Sequence, residues 1–273
     1  MIKWEIAWLR RITNYNSKIC IPMPTLEIRE LSKAFGGNRI LENISLGFSG
    51  GGLTAIVGLN GSGKTTLLDL LCGIASPDDG DILVNGHSIL KLPMHRVFQL
   101  GIARLFQDIR IFEELTVLEN VMAAMPSERY NGLVSAIFMR PSMITNEKHR
   151  EIRANQILKA VGLRIRASAL GGNISYGEQR LLALARLFAT NSSILLLDEP
   201  CSGIKTKLAE NLLKTARDFT QQGSIAIVVE HNLNLVAKFA DSILVIAKQG
   251  IHEVSQSMIQ DGHSLAALIE RLS

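Results

Sequence analysis

The sequence predicts an α/β fold with a mainly parallel core sheet, an antiparallel β layer beside it and an inserted helical subdomain. A glycine-rich loop joins an apolar, partly β-branched run to a leucine-rich segment with helical spacing. Continuous apolar runs at 193–197 and 225–229 are typical of parallel strands buried on both faces. Between about 94 and 180, long helical patterns and few strand patterns indicate the inserted subdomain.

The composition is that of a folded globular protein. The 273 residues are 47% hydrophobic and carry a net charge of +4. The basic residues form no long run, which argues against a nucleic-acid partner. Three cysteines, without metal-ligand spacing, favour a reducing cytosol. No stretch approaches about 18 uninterrupted apolar residues, so we predict no transmembrane helix. An apolar docking surface would explain part of the mean hydropathy of +0.20.

Residues 1–24 are predicted to form a separate N-terminal extension. One interpretation is an interfacial helix on an anionic membrane, because one helical face gathers the apolar residues Ile2, Ile6, Trp8, Leu9 and Ile12. Glu5 interrupts that face and no small-residue cleavage site follows, which argues against a signal peptide. The other interpretation is a poorly ordered tail or a start placed too early, since Met23 directly precedes the first convincing strand.

The main domain is predicted to span 25–254 and to begin with β patterns. Residues 26–31 alternate apolar and polar side chains, as a half-solvated strand does. Residues 40–48 form a second strand region, and 81–84 form a third between two turns. These segments predict the antiparallel layer beside the core.

The glycine-rich loop fits the phosphate-binding pattern G-x-x-x-x-G-K-[ST]; it consists of Gly58, Leu59, Asn60, Gly61, Ser62, Gly63, Lys64, Thr65 and Thr66. Its glycines let backbone N–H groups approach a polyphosphate, and the N-terminus of the following helix favours anions. Lys64 would reach the β- and γ-phosphates, and the Thr65 hydroxyl would ligate Mg²⁺. We therefore predict a nucleotide site here.

The remaining elements follow from periodicity. Helices are predicted at 115–124 and 146–161, with a loop containing a short helix at 130–141 between them. Further strands are predicted at 242–247 and 251–254, joined by a turn at 248–250. Residues 255–273 form a C-terminal tail, in which 264–272 has the pattern of a short amphipathic helix.

Two carboxylates follow the buried strand at 193–197. Ligands of open α/β sheets bind at the carboxyl ends of the strands, where Asp198 and Glu199 would lie. Asp198 could hold Mg²⁺ through its water shell, and Glu199 could orient or deprotonate an attacking water. The alternative is a strand capped by surface acids, and the phosphate-binding loop upstream favours the catalytic interpretation.

From about Leu26 to Gly250 the chain resembles the ATP-binding subunits of ATP-binding-cassette (ABC) transporters. Their fold is a RecA-like P-loop NTPase core with an antiparallel β layer and an inserted helical subdomain. The resemblance implies a catalytic set of Glu199, the switch histidine His231, and Gln107, which senses the γ-phosphate and contributes to the Mg²⁺ site. It also implies that Phe35 stacks on adenine. Residues 174–178 resemble the family's L-S-G-G-Q signature, which implies that ATP held by the opposite subunit is bound by Ser175, Gly177 and Glu178. A helix would begin near Gln179.

Two longer segments indicate a particular group within this family. Residues 101–121 and 229–236 are similar to the ATPases of branched-chain amino acid importers, and importers for amides or urea share some of these features. The chain departs from the family at Lys205, where an Asp or Asn usually crosses the dimer interface. A lysine there could weaken cross-talk between sites or pair with an acid on a non-identical partner. The Gly-Thr-Pro segment that often follows the last hairpin is absent from 249–261.

The resemblance implies an ATP-hydrolysing subunit that powers solute import through an ATP-sandwich dimer. Its partners would be integral membrane permease subunits and a second ABC ATPase subunit, identical or not, at the cytoplasmic face of the plasma membrane. Ile109, Ile111 and Phe112 are candidates for the apolar docking groove. Two alternatives remain. One is a soluble ABC ATPase acting on nucleic acid or ribosomes; the other is a low-turnover nucleotide-sensing subunit paired with another cassette.

Overall fold

The structure is a computed structural model that describes residues 23–126, 140–221, 223–247, 250–254 and 262–272. Four parts of the predictions lie outside these ranges. They are residues 1–22 of the N-terminal extension, most of the loop at 130–141, residues 248 and 249 of the turn, and residues 255–261 and 273 of the C-terminal tail.

The described part of the chain contains both strands and helices. In chain order they are β1 (Thr25–Phe35), β2 (Asn38–Ser49), β3 (Gly52–Gly58), α1 (Lys64–Leu71), β4 (Asp79–Val84), β5 (His87–Ser88), α2 (Met94–Gln99), β6 (Ile102–Leu105), α3 (Val117–Ala123), α4 (Arg140–Ala160), α5 (Tyr176–Ala189), β7 (Ile194–Asp198), α6 (Thr206–Thr220), β8 (Ile225–Val229), α7 (Leu233–Phe239), β9 (Ser242–Ala247), β10 (Gly250–Val254) and α8 (Gly262–Leu272). The predicted strands are confirmed, and their ends differ by a few residues.

The antiparallel layer has the strand order β2-β1-β4-β5 among the described residues. Leu26 and Ile28 of β1 are buried, whereas Glu27 is half-buried and Arg29 is exposed, which is the alternation that the sequence predicts. β1 pairs with both β2 and β4, and the pairing is interrupted by register shifts after Ile28 in one ladder and after Arg29 in the other.

The core sheet has the strand order β10-β9-β3-β8-β7-β6 in the described part of the chain. The five strands from β9 to β6 are parallel, and β10 joins antiparallel at the edge beside β9. Every residue of β7 and β8 is buried, as their continuous apolar sequences predict. This order places β3, which leads into the phosphate-binding loop, beside β8 and two strands from β7.

Contacts within the chain divide it into two units. The first contains the described residues up to Gln107, Ser192–Ser202 and those from Thr206 onward; the second contains the described residues of Asp108–Asn191 with Gly203–Lys205. Both sheets lie in the first unit and share one hydrophobic core, in which β1 and α1 contribute the fully buried side chains Leu26, Leu31, Leu67 and Leu68. Burying each such side chain contributes about 1.5–3 kcal/mol.

The helical unit starts later and ends later than the predicted range of about 94–180. The reason for the later start is that β6 pairs with β7 in the core sheet, which keeps residues 102–105 in the first unit. Its long segment ends at Asn191 because α5 continues to Ala189. The division of the chain into 1–24, 25–254 and 255–273 stays a prediction.

Within the second unit, α3 and α5 begin at capping boxes. Thr116 and Glu119 cap α3, and Ser175 and Glu178 cap α5, with each hydroxyl accepting from the backbone N–H of the acid. The cap at Ser175 starts α5 at Tyr176, so the prediction of a helix beginning near Gln179 was wrong.

None of the helices in the described part of the chain is both apolar enough and long enough to cross a membrane. The longest of them, α4 at 21 residues, is polar in sequence.

Candidate nucleotide site

The phosphate-binding loop connects the end of β3 to the start of α1. Gly63 precedes α1 with a φ of 96°, in the left-handed region that favours glycine. A Cβ on Gly63 would lie 2.8 Å from side-chain carbons of both Ile40 and Leu41. Gly63 is therefore required by its backbone conformation and by the close approach of β2.

The loop offers donors that fit a phosphate group. The first N–H groups of α1 have no intrahelical acceptor, and no acidic side chain lies in the first turn. The Ser62 hydroxyl is buried and has no hydrogen-bond partner within the described structure. Thr65 is exposed and Thr66 half-buried in the first turn. These donors, together with the Lys64 ammonium, make the loop chemically suited to an anion.

Lys64 is almost fully buried, at 6% exposure. Its Nζ donates to the carbonyl oxygens of Gly58 at 2.9 Å and Leu59 at 2.7 Å. Burial lowers the pKa of Lys64, whereas the negative charges of Glu199 and Asp198 raise it. The ammonium is thus held against the loop, in the field of the two acids.

A cavity of about 630 Å³ lies beside the loop, and this volume is within the range of ligand pockets. Its lining comes from the loop, from β2 and from the β9–β10 hairpin, and includes Leu59, Asn60, Gly61, Ser62, Arg39, Ile40, Glu42 and Ile246. Phe35, the last residue of β1, is 53% exposed, and Lys33 Nζ lies 5.2 Å from its ring centroid. An exposed ring of this kind is available for stacking, which is the role predicted for Phe35.

The structure brings three predicted catalytic residues together. Gln107 Nε2 donates to Glu199 Oε2 at 3.0 Å, and His231 Nε2 contacts Glu199 Oε1 at 2.8 Å. Each oxygen of the Glu199 carboxylate therefore has one side-chain partner. Glu199 has a φ of 44°, a strained conformation for a residue with a side chain.

Asp198 is buried at the end of β7 and is held by Arg104, a residue that sequence reasoning missed. One Arg104 nitrogen donates to Asp198 Oδ2 at 2.6 Å and the other donates to Asp69 Oδ1. Burial lowers the pKa of Arg104, but hydrogen bonds to Asp198, Asp69 and Cys72 outweigh it and raise the pKa above its usual range. The available signal was a charged residue inside the apolar strand 102–105.

The donor set fits a magnesium ion. The described residues contain no cluster of three or more His, Cys, Asp or Glu side chains that could hold a metal. Mg²⁺ is typically bound by one or two protein oxygens, with waters and substrate phosphates completing the shell. The Asp198 carboxylate, the Thr65 hydroxyl and the Gln107 amide oxygen are ligands of that type.

The signature residues lie in the second unit and form a helix cap. The carboxylate of Glu178 accepts from the backbone N–H and the hydroxyl of Ser175, both at 2.8 Å, and from Arg166 Nε at 3.0 Å. The backbone N–H of Ser175, then its hydroxyl and Arg166, lower the pKa of Glu178. Gly177 lies in the first turn of α5. Contact of these residues with ATP stays a prediction.

We expect Arg104→Ala to destabilise the first unit by about 3–5 kcal/mol, because it leaves the buried Asp198 carboxylate without its partner. Urea denaturation of the purified protein would measure this change in the free energy of unfolding. Arg96→Ala is the matched control. Arg96 is exposed, and its side chain donates a hydrogen bond to Gln99, which carries no charge. Equal stability of the two variants would contradict the importance of the Arg104 ion pairs.

The chain is similar to a known family over a range that contains most of these residues. The profile of the family described as ABC transporter matches residues 41–202, a range that includes the phosphate-binding loop, Gln107, the signature and both acids. Phe35 and His231 lie outside it.

Two relatives from Escherichia coli K12 illustrate the range of similar proteins. The high-affinity branched-chain amino acid transport ATP-binding protein LivG is 34% identical over 189 residues, covering 69% of this chain and 74% of LivG. The lipopolysaccharide export system ATP-binding protein LptB is 33% identical over 182 residues, covering 67% of this chain and 70% of LptB.

Solved structures share the fold. A nucleotide-free ATP-binding cassette from an ABC transporter superposes with a TM-score of 0.72 and 25% identity, covering 91% of this chain and 96% of the other. The ADP conformation of an ATP-binding cassette of an ABC transporter gives the same TM-score and identity, covering 91% of this chain and 95% of the other. These matches confirm the predicted α/β architecture.

Proposed function

We propose, on the premise that this chain belongs to the ABC transporter family and is one of its ATPases, that it powers import of branched-chain or related amino acids. The contact of Glu199 with both Gln107 and His231 is the observation that carries the catalytic part of the proposal. The similarity of 101–121 and 229–236 to importer ATPases, and that of the chain to LivG, supports the direction and the solute. LptB belongs to an export system, so the direction of transport and the transported solute are both parts of the proposal.

Phosphate binding would use the loop as it stands in the structure. Backbone N–H groups at the start of α1 would donate to the phosphate oxygens, and Lys64 would exchange its two carbonyl partners for the β- and γ-phosphates. Mg²⁺, held by Thr65, Asp198 and Gln107, would supply positive charge that stabilises the transferring phosphoryl group. The Phe35 ring would stack on the base.

Glu199 would orient or deprotonate the attacking water. Its carboxylate has a side-chain partner at each oxygen, and these contacts fix its orientation. Gln107 would sense the γ-phosphate. Its amide donates to Glu199, and the next residue, Asp108, is the first residue of the second unit. His231 would hold the other oxygen of Glu199.

The working form would be a dimer in which ATP lies between two subunits. Each ATP would be bound by the loop of one subunit and by Ser175, Gly177 and Glu178 of the other, through charge-assisted hydrogen bonds. Hydrolysis would remove part of this attraction and open the dimer. Lys205 could repel its counterpart in an identical subunit, or pair with an acid of a different one. The complex would be completed by integral membrane permease subunits, with this subunit peripheral at the cytoplasmic face.

Docking to the permease would use a surface of the second unit that we call the Phe112 surface, formed by Ile109, Ile111 and Phe112. Phe112 is 51% exposed, and the two isoleucines are half-buried. The fully buried Asn120 fixes this segment, because its side chain accepts from the Phe112 N–H and donates to the Phe112 oxygen. Arg186 lies over the Phe112 ring at 4.9 Å. The segment that carries the Phe112 side chain is thus held by hydrogen bonds to Asn120.

We expect Ile111→Asp combined with Phe112→Asp to abolish association with membranes containing the permease, because each change places a charge in an apolar contact. ATP binding should be unchanged. Membrane flotation and uptake of labelled leucine by cells that depend on this chain would measure the two effects.

Ile165→Asp is the matched control, because Ile165 lies in the same unit and is 96% exposed. Retained membrane association of the double variant would contradict the docking surface. Co-purification with nucleic acid in place of a membrane protein would favour the alternative of a soluble ABC ATPase. Co-purification with another cassette subunit, together with low turnover, would favour the nucleotide-sensing alternative that Lys205 suggests.

A further inference from the structure

We propose that Glu230 is a positioning residue that ties the turn carrying Glu199 to the turn carrying His231. The inference rests on the proposed catalytic role of Glu199 and deepens it. Glu230 is 4% exposed and is the residue directly before His231. No step of the proposed hydrolysis uses it directly.

The two turns follow neighbouring parallel strands. β7 and β8 are paired up to Asp198 and Val229, so the residues after them leave the sheet side by side. The Glu199 N–H donates to the Val229 oxygen at 2.9 Å. The Cys201 N–H then donates to Glu230 Oε1 at 2.7 Å. The connection between the strands therefore continues beyond the sheet through a side chain.

The Glu230 carboxylate gathers backbone donors from both turns. The backbone N–H groups of His231 and Asn232 also lie near enough to lower its pKa. A buried carboxylate is costly unless its oxygens are hydrogen-bonded, and the Cys201 N–H bonds one of them. Burial raises the pKa of Glu230, and the hydrogen bonds from Cys201, His231 and Asn232 lower it. One carboxylate thus joins the residue after Pro200 to the residue that precedes the histidine.

The conformation of Glu199 explains why such a tie is needed. Its φ of 44° is strained for a residue with a side chain and persists only where the surroundings hold it. The backbone carbonyl of Val229 accepts from the Glu199 N–H, and the backbone carbonyl of Glu199 accepts from the Ser202 N–H at 3.2 Å. Glu230 holds the intervening Cys201 N–H. Release of that bond would let the turn relax and would separate the Glu199 and His231 side chains.

The contacts make Glu230 a positioning residue. Its described hydrogen bond is to the Cys201 backbone, whereas the side chains of Glu199 and His231 contact each other. Its effect on hydrolysis must therefore pass through that pair. This dependence distinguishes it from a residue that only stabilises the fold.

The test is Glu230→Gln in the full chain. An amide has one acceptor oxygen, and its NH₂ group would oppose one of the backbone N–H groups. We expect kcat for ATP hydrolysis to fall about tenfold or more, as misplacement of a catalytic group does, with the KM for ATP unchanged within about twofold. Glu210→Gln is the matched control, because Glu210 pairs with Lys238 at the surface.

A double-mutant cycle with His231→Ala separates positioning from stability. If Glu230 acts through the Glu199–His231 pair, Glu230→Gln should change the single-turnover rate less than about twofold in the His231→Ala background. Thermal unfolding of each variant would confirm that it is folded at the assay temperature. If Glu230→Gln is not folded, Glu230→Asp keeps the charge, shortens the reach to Cys201, and should show the same loss of kcat.

An unchanged kcat in a folded Glu230→Gln variant would overturn the inference, and so would an equal loss in the two backgrounds. The activity of Glu199→Gln distinguishes these results from a failure of the proposed function. If Glu199→Gln hydrolyses ATP at the parent rate, the role of Glu199 is wrong and the inference about Glu230 falls with it. If Glu199→Gln is inactive while Glu230→Gln is fully active, only the positioning role is wrong.

Discussion

Glu199→Gln is expected to lower the steady-state rate of ATP hydrolysis at least about a hundredfold, because the amide cannot accept a proton from the attacking water. ATP binding should persist, since the phosphate-binding loop is unchanged. Glutamine keeps the shape of the side chain, and its oxygen can still accept from Gln107 or face His231. Phosphate release and equilibrium binding of ATP would measure the two quantities separately.

Glu253→Gln is the control for this variant, because Glu253 is exposed on the edge strand β10. Hydrolysis by Glu199→Gln at the parent rate would contradict the general-base role. The same variant tests the dimer, since arrested hydrolysis should trap the ATP-bound state. Light scattering that shows an Mg-ATP-dependent dimer would mean that Lys205 is tolerated in an identical pair. A variant that binds ATP and stays monomeric would indicate a non-identical cassette partner.

Lys64→Ala is expected to weaken ATP binding by about ten- to a hundredfold, the value of one or more lost charge-assisted hydrogen bonds. The ammonium is buried against the loop and lies in the field of Asp198 and Glu199, which places its charge at the predicted phosphate site. Hydrolysis should fall with binding. Equilibrium binding of a fluorescent ATP analogue would measure the loss.

Lys148→Ala provides the comparison, because Lys148 is an exposed lysine of the helical unit. Its binding and turnover should match those of the parent. If Lys64→Ala also matched the parent in both, the assignment of the whole loop as the phosphate site would be wrong. Circular dichroism of both variants would show whether the loss reflects unfolding.

The reliable sequence predictions were those with strong local patterns. The strands at 225–229 and 242–247 have the bounds that were predicted, because strands buried on both faces are continuous apolar runs. The helix α6 was missed although its buried residues Ala209, Leu212, Leu213 and Ala216 have helical spacing. The start of α5 was misplaced although Ser175 and Glu178 have capping-box spacing. In both cases the signal was local and available.

The sequence by itself determined the fold class and the phosphate-binding loop, because turn glycines, strand runs and the lysine are neighbours in the chain. Only the tertiary structure decided which side chains meet Glu199 and Asp198. Gln107 is 92 residues from Glu199, and Arg104 is 94 residues from Asp198. Adjacent parallel strands bring such distant residues to one edge of the sheet, and no local pattern encodes which of them will bond. The Glu230–Cys201 bond arises in the same way, from turns that leave paired strands together.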